Sequence, residues 1–411
     1  MNQIRLLVKR SWRESRELNK IANMPLAILF SHLVESGKGS TLIYLDTLIP
    51  APRLPTIASY YFAHAYYLHG KYDQAKDHLA RVLIKHPYHA DATYLQCSID
   101  DIEGRKDNAW EKLTLLARNN RRLKTWLVMA NLVEDEHEFS LLYRAWQDAI
   151  TSRRVERFHL DVSSYIATGA LRAGLYDIAI NIWEELIEQI TSNESIPRNA
   201  PAPNSFSRGK AERALLDIKM LLDSHRIEFF LVSGTLLGCI REGRILLHDK
   251  DADIGVWSDN ESNTLLTLLR TSGLFYLQAS RSQHVIRVKH VNGTAIDVFI
   301  HYREPNDYWH GGVKLKWSNT PFKLTSYPFL GTHFNIPDDY DLYLTENYGE
   351  WRIPREKFDS STDTTNASIM NQKELAVSIY RKLADSYIKK SETTVASCLA
   401  TLSKLKSTTV Q

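Results

Sequence analysis

The first half of the chain has a helical pattern of apolar and polar positions, and residues 1 to about 192 are predicted to be helical throughout. Three phrases of similar sequence recur within it, at 70–75, 104–109 and 174–179, each beginning with Gly and ending with Ala. The first two glycines are 34 positions apart, and the third lies 70 positions beyond the second, which leaves room for a degenerate unit at 138–149. This is the period of tetratricopeptide repeats.

In such a repeat, Gly occupies the turn between two helices, and the following Ala lets the helices approach closely. Large apolar side chains of the first unit, Tyr66, Leu79 and Leu83, are expected to bury one helix against the next, and Pro87 should end the pair. The alternative is an irregular helical bundle in which the phrases are similar by chance. Because period and phrase agree over two intervals, we interpret residues 1–192 as a tetratricopeptide-like helical domain.

The pattern changes after the helical half. Residues 193–208 contain Ser, Asn and three prolines and are predicted to form a linker. Residues 209–371 mix helical and alternating patterns, which predicts an α+β domain with a mixed sheet. Residues 372–411 are predicted to form a C-terminal helical tail.

Several elements of the second domain can be placed individually. Residues 210–224 suit an amphipathic helix, and the apolar run at 229–232 is typical of a short buried strand. Two alternating runs, 284–291 and 294–302, are joined by Asn292-Gly293. That pair favours a hairpin with a type I′ turn.

Three aspartates stand directly before a predicted strand, where Asp249, Asp251 and Asp253 alternate with Lys250 and Ala252. Side chains two apart in extended chain point to the same face, about 7 Å from each other, so the acids share one face and Lys250 and Ala252 point away. Three crowded carboxylates repel one another unless a cation lies among them. Carboxylate oxygens suit Mg²⁺ or Mn²⁺ rather than zinc. The cluster therefore predicts a divalent cation site.

Other residues can complete a phosphate-binding centre. Asp297 lies between apolar residues of a predicted strand, where it fits a metal ligand or a base better than a packing role. Gly234 and Thr235 directly follow the first predicted strand, so backbone N–H groups and the Thr hydroxyl can approach a phosphate. Arg241 and Arg244 can add charge-assisted contacts. Together these residues predict phosphoryl or nucleotidyl transfer.

Each of these signals also has a purely structural explanation. An isolated Asp-x-Asp pattern occurs on calcium-binding or solvated loops, and an isolated Gly-Thr pair is often only a turn. The combination of acid cluster, preceding strand and later Asp297 is what favours an enzyme.

Composition narrows the class of protein further. The chain has 411 residues, 44% hydrophobic and 24% charged, as in a globular protein of two domains or three. Its net charge of +3 gives no reason to expect a nucleic-acid partner. Cys97, Cys239 and Cys398 form no paired motif, which argues against a disulfide framework. With no apolar run long enough for a signal or a spanning helix, we expect a cytoplasmic protein, or one peripheral to the inner face of the membrane.

Several motifs follow one another in the second domain, at 230–241, 248–255, 308–312, 343–351 with Pro354, and 358–366. In their residues, order and spacing they resemble the LicD/fukutin family, in particular the branch found in bacterial capsule and surface-polysaccharide polymerases. The resemblance covers about residues 210 to 370, and the order and spacing of the motifs make it specific.

The resemblance implies a nucleotidyltransferase-like fold that transfers a phosphorylated group from a CDP-linked donor to a glycan and releases CMP. The expected donors are CDP-ribitol, CDP-glycerol or CDP-choline, with Mg²⁺ or Mn²⁺ as cofactor. By the same resemblance, Asp251, Asp253 and Asp297 are the catalytic and metal-binding acids. The residues expected at the donor are Gly234, Thr235, Arg241, His248, Asp249, Lys250 and His310.

The chain departs from the family pattern before the first acid. Many members have Pro-Trp there, whereas this chain has Leu247-His248. His248 is then either a packing residue or a donor to the leaving phosphate. Further along, Tyr348 and Trp351 either close the donor or acceptor pocket or belong to a structural turn.

Two other interpretations remain open at this point. The chain can be an inactive scaffold that binds a glycan or partner enzymes through its repeats, although no acid of the metal cluster is missing. It can also be a true nucleotidyltransferase, which would release pyrophosphate instead of CMP. In the transferase interpretation, the repeats hold the acceptor chain or another enzyme of polysaccharide assembly.

Overall fold

The chain forms two compact units, each assembled from two separate stretches of sequence. One unit combines Met1–His78 with Asn204–Met370, and the other combines Leu79–Pro203 with Asn371–Gln411. The computed structural model describes residues 2–18, 21–50, 54–192, 196, 207–246, 251–259, 262–355, 358 and 363–408.

Helices account for most of the described residues before position 225 and after position 371, and strands lie between them. The helices are α1 (Asn2–Glu17), α2 (Met24–Glu35), α3 (Gly39–Leu48), α4 (Thr56–Leu68), α5 (Tyr72–Lys85), α6 (Ala90–Ile102), α7 (Lys106–Asn119), α8 (Lys124–Leu132), α9 (Glu136–Thr151), α10 (Leu160–Arg172), α11 (Tyr176–Ser192), α12 (Arg208–Ser224), α13 (Ser233–Glu242), α14 (Ser262–Thr271), α15 (Tyr340–Tyr348), α16 (Gln372–Ile388) and α17 (Glu392–Thr408). The strands are β1 (Phe229–Leu231), β2 (Asp251–Trp257), β3 (Phe275–Leu277), β4 (Val285–His290), β5 (Ala295–Glu304), β6 (Asp307–Gly311), β7 (Leu315–Asn319), β8 (Leu324–Phe329), β9 (Thr332–Pro337) and β10 (Ala367–Ile369).

The repeated phrases occupy equivalent places in successive helix pairs. Gly70, Gly104 and Gly174 lie in the turns that precede α5, α7 and α11, with φ of 68°, 73° and 73°. A positive φ at three such turns explains why Gly recurs there. The Ala that ends each phrase is fully buried. The predicted helical, repeat-like organisation is confirmed, whereas its assignment to the tetratricopeptide class stays a prediction.

The unit formed by 79–203 and 371–411 is helical and has one apolar core. The predicted C-terminal tail supplies part of that core, because α16 packs against α11. The hydroxyl of Tyr380 donates to Glu184 at 2.6 Å, and the amide of Asn371 donates to the Tyr176 hydroxyl at 3.1 Å.

The other unit joins the N-terminal helices to the sheet, whereas the sequence predicts domains in chain order with borders at 192, 208 and 371. Within this unit, Nδ1 of His64 on α4 lies 3.2 Å from the Tyr276 hydroxyl on β3, and the ring of Tyr67 stacks on Tyr276. Helical periodicity shows that a helix has an apolar face but not which core receives it. Of the predicted linker 193–208, only Ile196, Ser207 and Arg208 belong to the described residues.

A mixed sheet forms the core of this unit. Its strands run in the order β1-β2-β5-β6-β7-β10, with β4 also paired to β5 and β3 paired to β4. The β2–β5 pair is parallel, and the other pairs of this sheet are antiparallel. Strands β8 and β9 form a separate hairpin. The predicted mixed sheet is therefore confirmed.

The predicted hairpin forms between β4 and β5, but its turn is not type I′. A type I′ turn needs positive φ at both central residues, and among Val291, Asn292 and Gly293 only Gly293 has it, at 97°. The N–H of Gly293 donates to the His290 carbonyl at 2.8 Å, and the His290 N–H donates to the Thr294 carbonyl at 2.8 Å. This is a three-residue loop whose last position needs the glycine.

Gly238 lies where α13 meets the chain that returns toward β2. A Cβ at this position would lie 2.7 Å from the carbonyl oxygen of Arg244. We expect Gly238→Ala to lower the free energy of unfolding by about 1 kcal/mol, because overpacking strain of about 1–3 kcal/mol exceeds the helix-propensity gain. Gly209→Ala is the matched control, since a Cβ there meets no atom within 4 Å. Denaturant unfolding should show Gly209→Ala unchanged or stabilised, and a stabilised Gly238→Ala would contradict the expectation.

The three cysteines are all buried, and none of them forms a disulfide. No helix within the described part of the chain combines the length and the apolar content needed to cross a bilayer.

Candidate active site

The candidate site begins where β1 ends. The three residues of β1 are buried, and Val232 follows in an extended conformation as the N-cap of α13. Ser233 has φ of 49°, in the left-handed region that non-glycine residues rarely adopt. This sharp turn places the first N–H groups of α13 beside the start of β2. Strained backbone of this kind is concentrated at functional sites.

Two hydrogen bonds join α13 to β2. The N–H of Gly234 donates to Oδ2 of Asp253 at 3.3 Å, and the N–H of Asp253 donates to Oγ1 of Thr235 at 2.7 Å. The Thr235 side chain is fully buried, so its hydroxyl lies behind the site, whereas the sequence predicts it at a phosphate. Gly234 itself faces the cavity.

The acids are brought together by the parallel pairing of β2 with β5. Asp253 and Asp297 are register partners, and Asp251 lies two positions before Asp253 on the same face. The intervening Ala252 is fully buried in the core, as the predicted alternation requires. Asp249 and Lys250, like His248, lie outside the described residues.

These residues surround one cavity of about 540 Å³, which is within the usual size range of small-molecule sites. It contains six of the residues that the sequence analysis assigns to the site. They are Gly234, Arg241, Asp251, Asp253, Asp297 and His310. Arg244 is not among its lining residues and instead pairs with Glu242 at 3.5 Å.

The carboxyl group of Asp297 has an unusual environment. Burial raises its pKa, the Arg287 guanidinium opposes that rise, and the charge of Asp251 adds to it, so that the net pKa lies above the usual range. Nε of Arg287 lies 3.4 Å from Oδ2 of Asp297. A raised carboxyl pKa in a cavity is typical of a group that exchanges protons or awaits a cation.

Aromatic rings of β6 and β7 also line the cavity. His310 stacks between His301 and Trp317, with ring centroids 4.4 and 5.4 Å away. Burial and the neighbouring His301 hold the pKa of His310 well below its usual range, so its imidazole is neutral at pH 7. A neutral ring stacked on Trp317 suits hydrogen bonding to an uncharged part of a ligand rather than to a phosphate.

Residues of the motif at 343–351 form another part of the cavity wall. Nη1 of Arg241 donates to the carbonyl of Trp351 at 3.1 Å, and Nε1 of Trp351 donates to Asp341 at 3.1 Å. Tyr348 and Trp351 both line the cavity, as does the exposed Arg355. Two arginines, Arg241 in the last turn of α13 and Arg355, therefore border the cavity.

Several lining residues were missed in the sequence analysis. Phe299 lies two positions after Asp297 on β5, so the strand alternation already places it on the same face. No comparable periodicity identifies Asn347, Arg355 or Phe358, because they lie at a helix end or in irregular chain. Asn347 and Phe358 do lie within the motifs at 343–351 and 358–366 that carry the family resemblance, whereas Arg355 lies in neither and is placed only by the fold.

Thr235→Val tests the join between α13 and β2. Valine has nearly the same shape but cannot accept the Asp253 N–H, so a buried donor loses its partner. We expect the free energy of unfolding to fall by about 1–3 kcal/mol. Thr325→Val, on the exposed face of β8, is the control and should change it by less than about 0.5 kcal/mol. Equal effects of the two substitutions in denaturant unfolding would show that the Thr235 hydrogen bond is unimportant.

The chain is similar to known proteins over part of its length. Residues 226–339 match the family described as LicD/FKTN/FKRP, nucleotidyltransferase domain. The chain is 26% identical over 171 residues to the mouse protein named Ribitol-5-phosphate transferase FKTN, covering 39% of this chain and 37% of that protein. The human protein of the same name is 26% identical over 161 residues, covering 36% of this chain and 35% of the relative.

A bacterial relative is also similar. The uncharacterized protein RP689 of Rickettsia prowazekii is 27% identical over 143 residues, which cover 33% of this chain and 52% of that protein. The matched segment thus spans little more than a third of the fukutin relatives and about half of the bacterial one. The family match at 226–339 includes β1, α13, β2 and β5, which carry Gly234 and the described acids. Residues 226–339 of this chain therefore form a nucleotidyltransferase domain of the LicD/FKTN/FKRP family.

Proposed function

We propose that the chain transfers a phosphorylated polyol from a CDP-linked donor to a glycan hydroxyl and releases CMP. Ribitol phosphate is the first candidate, since the named relatives are ribitol-5-phosphate transferases; glycerol phosphate and phosphocholine are the others. The observation that carries the proposal is the convergence of Asp251, Asp253 and Asp297 on one cavity with Gly234. The proposed setting is the synthesis of a bacterial capsule or surface polysaccharide.

A divalent cation is part of the proposal. The available side chains are carboxylates, which suit Mg²⁺ or Mn²⁺, and the charge of Asp251 already disfavours ionisation of Asp297. Among the described residues, no three His, Cys, Asp or Glu side chains form a metal site by themselves. Magnesium is commonly held by one or two carboxylates together with substrate phosphates and water, and Asp251 and Asp253 are the two proposed here. When bound, the ion would neutralise charge on the diphosphate during transfer.

The residues of the chain have distinct roles in this proposal. The backbone at Gly234, at the N-terminus of α13, binds the donor diphosphate. Arg241 and Arg355 add positive charge on the CMP side. Asp251 and Asp253 hold the cation. Asp297 either shares in that task or accepts the proton of the attacking hydroxyl, and its raised pKa favours the second role.

The aromatic part of the cavity is assigned to the uncharged portions of the donor. Trp317 and Phe299 offer apolar contact, and neutral His310 can exchange one hydrogen bond with a hydroxyl or a base without attracting phosphate. The helical unit is proposed to bind the acceptor chain or a partner enzyme of the assembly pathway. The proposed location is the cytoplasm or the inner face of the membrane.

A donor screen tests this function. CDP-ribitol, CDP-glycerol and CDP-choline are each incubated with candidate glycans and Mg²⁺, and CMP and pyrophosphate are quantified. We expect CMP from one donor, dependent on Mg²⁺ and on the acceptor. Pyrophosphate instead of CMP would identify a true nucleotidyltransferase. No turnover of any donor, together with no binding of Mg²⁺ or CDP by calorimetry, would favour an inactive scaffold.

A further inference from the structure

Two basic side chains of β4, those of Arg287 and Lys289, lie beside the acid cluster and have no role in the function proposed so far. Arg287 is the register partner of Asp297, and Lys289 lies two positions further along the same face. Both side chains reach the protein surface, and that of Arg287 is 55% exposed. The two cations are thus about 7 Å apart along the strand.

Their position relative to the donor side follows from the order of strands. Asp297 on β5 has Asp253 of β2 on one side and Arg287 of β4 on the other. Gly234 and Arg241 lie beyond β2, in the direction of α13. The acids therefore separate Arg287 and Lys289 from the groups proposed to bind the donor diphosphate.

Few of the described acidic side chains lie close enough to Arg287 and Lys289 to form ion pairs with them. Within the described residues, Arg287 is paired with Asp297 alone, at 3.4 Å, and Lys289 has no ion pair. Partial desolvation and the nearby charge of Arg10 lower the pKa of Lys289, and Arg10 itself is paired with Glu35 at 2.7 Å. An anion arriving at this edge would meet the charge of Lys289, which no described carboxylate pairs with, and that of Arg287, which it would share with Asp297.

The geometry of phosphoryl transfer determines which substrate lies next to Arg287 and Lys289. Attacking and leaving oxygens lie roughly in line on opposite sides of the phosphorus. If CMP leaves on the side of Gly234 and Arg241, the acceptor hydroxyl enters on the side of Asp297 and β4. The group bound at Arg287 and Lys289 is then part of the acceptor, close to its reacting hydroxyl.

We propose that Arg287 and Lys289 form an acceptor subsite for an anionic group next to the reacting hydroxyl, so that the preferred acceptor ends in a phosphorylated unit. The inference rests on the proposed transferase function and specifies its acceptor. A carboxylated sugar offers the same charge and is the alternative source of the anion.

The reaction balances without any chemical step at the two cations. The acceptor oxygen forms a bond to the β-phosphorus of the donor, and the bond from that phosphorus to the bridging oxygen of the diphosphate breaks. The electron pair leaves with CMP, and the hydroxyl proton passes to Asp297. Arg287 and Lys289 determine which acceptor is held there and where its hydroxyl lies.

The test compares matched acceptors. A disaccharide ending in glycerol phosphate, the same disaccharide without the phosphate, and one ending in a uronic acid are used with the donor found to be active. Wild-type protein should prefer the phosphorylated acceptor in kcat/KM. Lys289→Gln should raise the KM for that acceptor about tenfold, the effect of one charge-assisted contact, and leave the KM for the CDP donor unchanged.

The controls separate this role from a general loss of charge or stability. Lys323→Gln removes an exposed charge beside the β8–β9 hairpin and should not change the acceptor preference. Arg287→Lys keeps the charge and should retain the preference, whereas Arg287→Gln should lose it, with thermal unfolding recorded for each variant. Equal use of charged and neutral acceptors by wild-type protein, or an unchanged preference in Lys289→Gln, would overturn the inference. A preference for the uronic acid would keep the anion subsite and assign it to a carboxylate.

A binding measurement distinguishes failure of the inference from failure of the proposed function. If no CDP-linked donor is turned over, the proposed function fails, and the subsite is tested by titration with glycerol 3-phosphate at fixed ionic strength. Binding about tenfold weaker in Lys289→Gln than in wild-type protein supports the subsite. Equal affinity overturns it.

Discussion

Replacing Asp251 by Asn is expected to reduce the rate of CMP release about 10³-fold, corresponding to about 4 kcal/mol of lost transition-state stabilisation. The reason is charge rather than shape. Asparagine fills nearly the same volume but removes one of the carboxylates that face the cavity beside Asp253 and Asp297. The effect is measured as kcat at saturating donor and Mg²⁺. Higher Mg²⁺ should restore little of it if Asp251 binds the ion in the transition state.

Asp259→Asn is the matched control for this substitution. Asp259 lies just beyond the end of β2, is 63% exposed and pairs with Arg303, outside the residues that line the cavity. Its replacement should leave kcat within about twofold, as expected for a surface position that contributes little. Equal losses in both variants, or full activity in Asp251→Asn, would remove Asp251 from the catalytic centre.

Replacing Asp297 by Asn is expected to slow turnover by about 10²–10⁴-fold, the range for loss of a general base. A base must be ionised, so the wild-type rate should fall as the pH drops through the raised pKa of Asp297. The variant should lose this acidic limb of the pH–rate profile. Asp307→Asn, whose carboxylate pairs with Lys316 at 2.8 Å outside the cavity, should keep both rate and profile.

Asp297→Asn is also expected to be more stable than wild-type protein in the absence of divalent ions. Because the folded-state pKa of Asp297 is raised, its contribution to stability is present below the unfolded-state pKa and is lost as the pH rises through the folded-state value. Asparagine cannot ionise and avoids that loss. Thermal unfolding in EDTA should therefore show a higher melting temperature for Asp297→Asn than for wild-type protein. This difference should grow as the pH rises. Loss of both activity and stability would instead indicate structural damage.

Local sequence patterns predicted much of the structure of the sheet-containing unit. Alternation along 251–257 and 295–302 correctly predicted which aspartates face away from the core, because strand geometry places residues of the same parity on one face. The glycines of the helical repeats were also predictable, since a positive φ at a tight turn strongly favours Gly.

Features that depend on distant partners were not predictable in this way. The Thr235 hydroxyl bonds the N–H of Asp253, 18 residues later, which turns an expected phosphate ligand into part of the wall. Asn292-Gly293 predicted a hairpin correctly but the wrong turn, because loop length is fixed by the pairing of β4 with β5. The packing of residues 1–78 with the sheet and of 371–411 with the repeats depends on complementary surfaces that no local pattern encodes.

The most direct measurement of the central claim follows both products of one reaction. Wild-type protein, Mg²⁺, CDP-ribitol and a defined glycan acceptor are incubated, with the acceptor analysed by mass spectrometry and the nucleotide by chromatography. The account predicts that the acceptor gains ribitol phosphate, or the group of whichever CDP-linked donor is active, in amounts equal to the CMP released, and that Asp251→Asn yields neither product. CMP release without any gain of acceptor mass, or transfer that persists in Asp251→Asn, would contradict it.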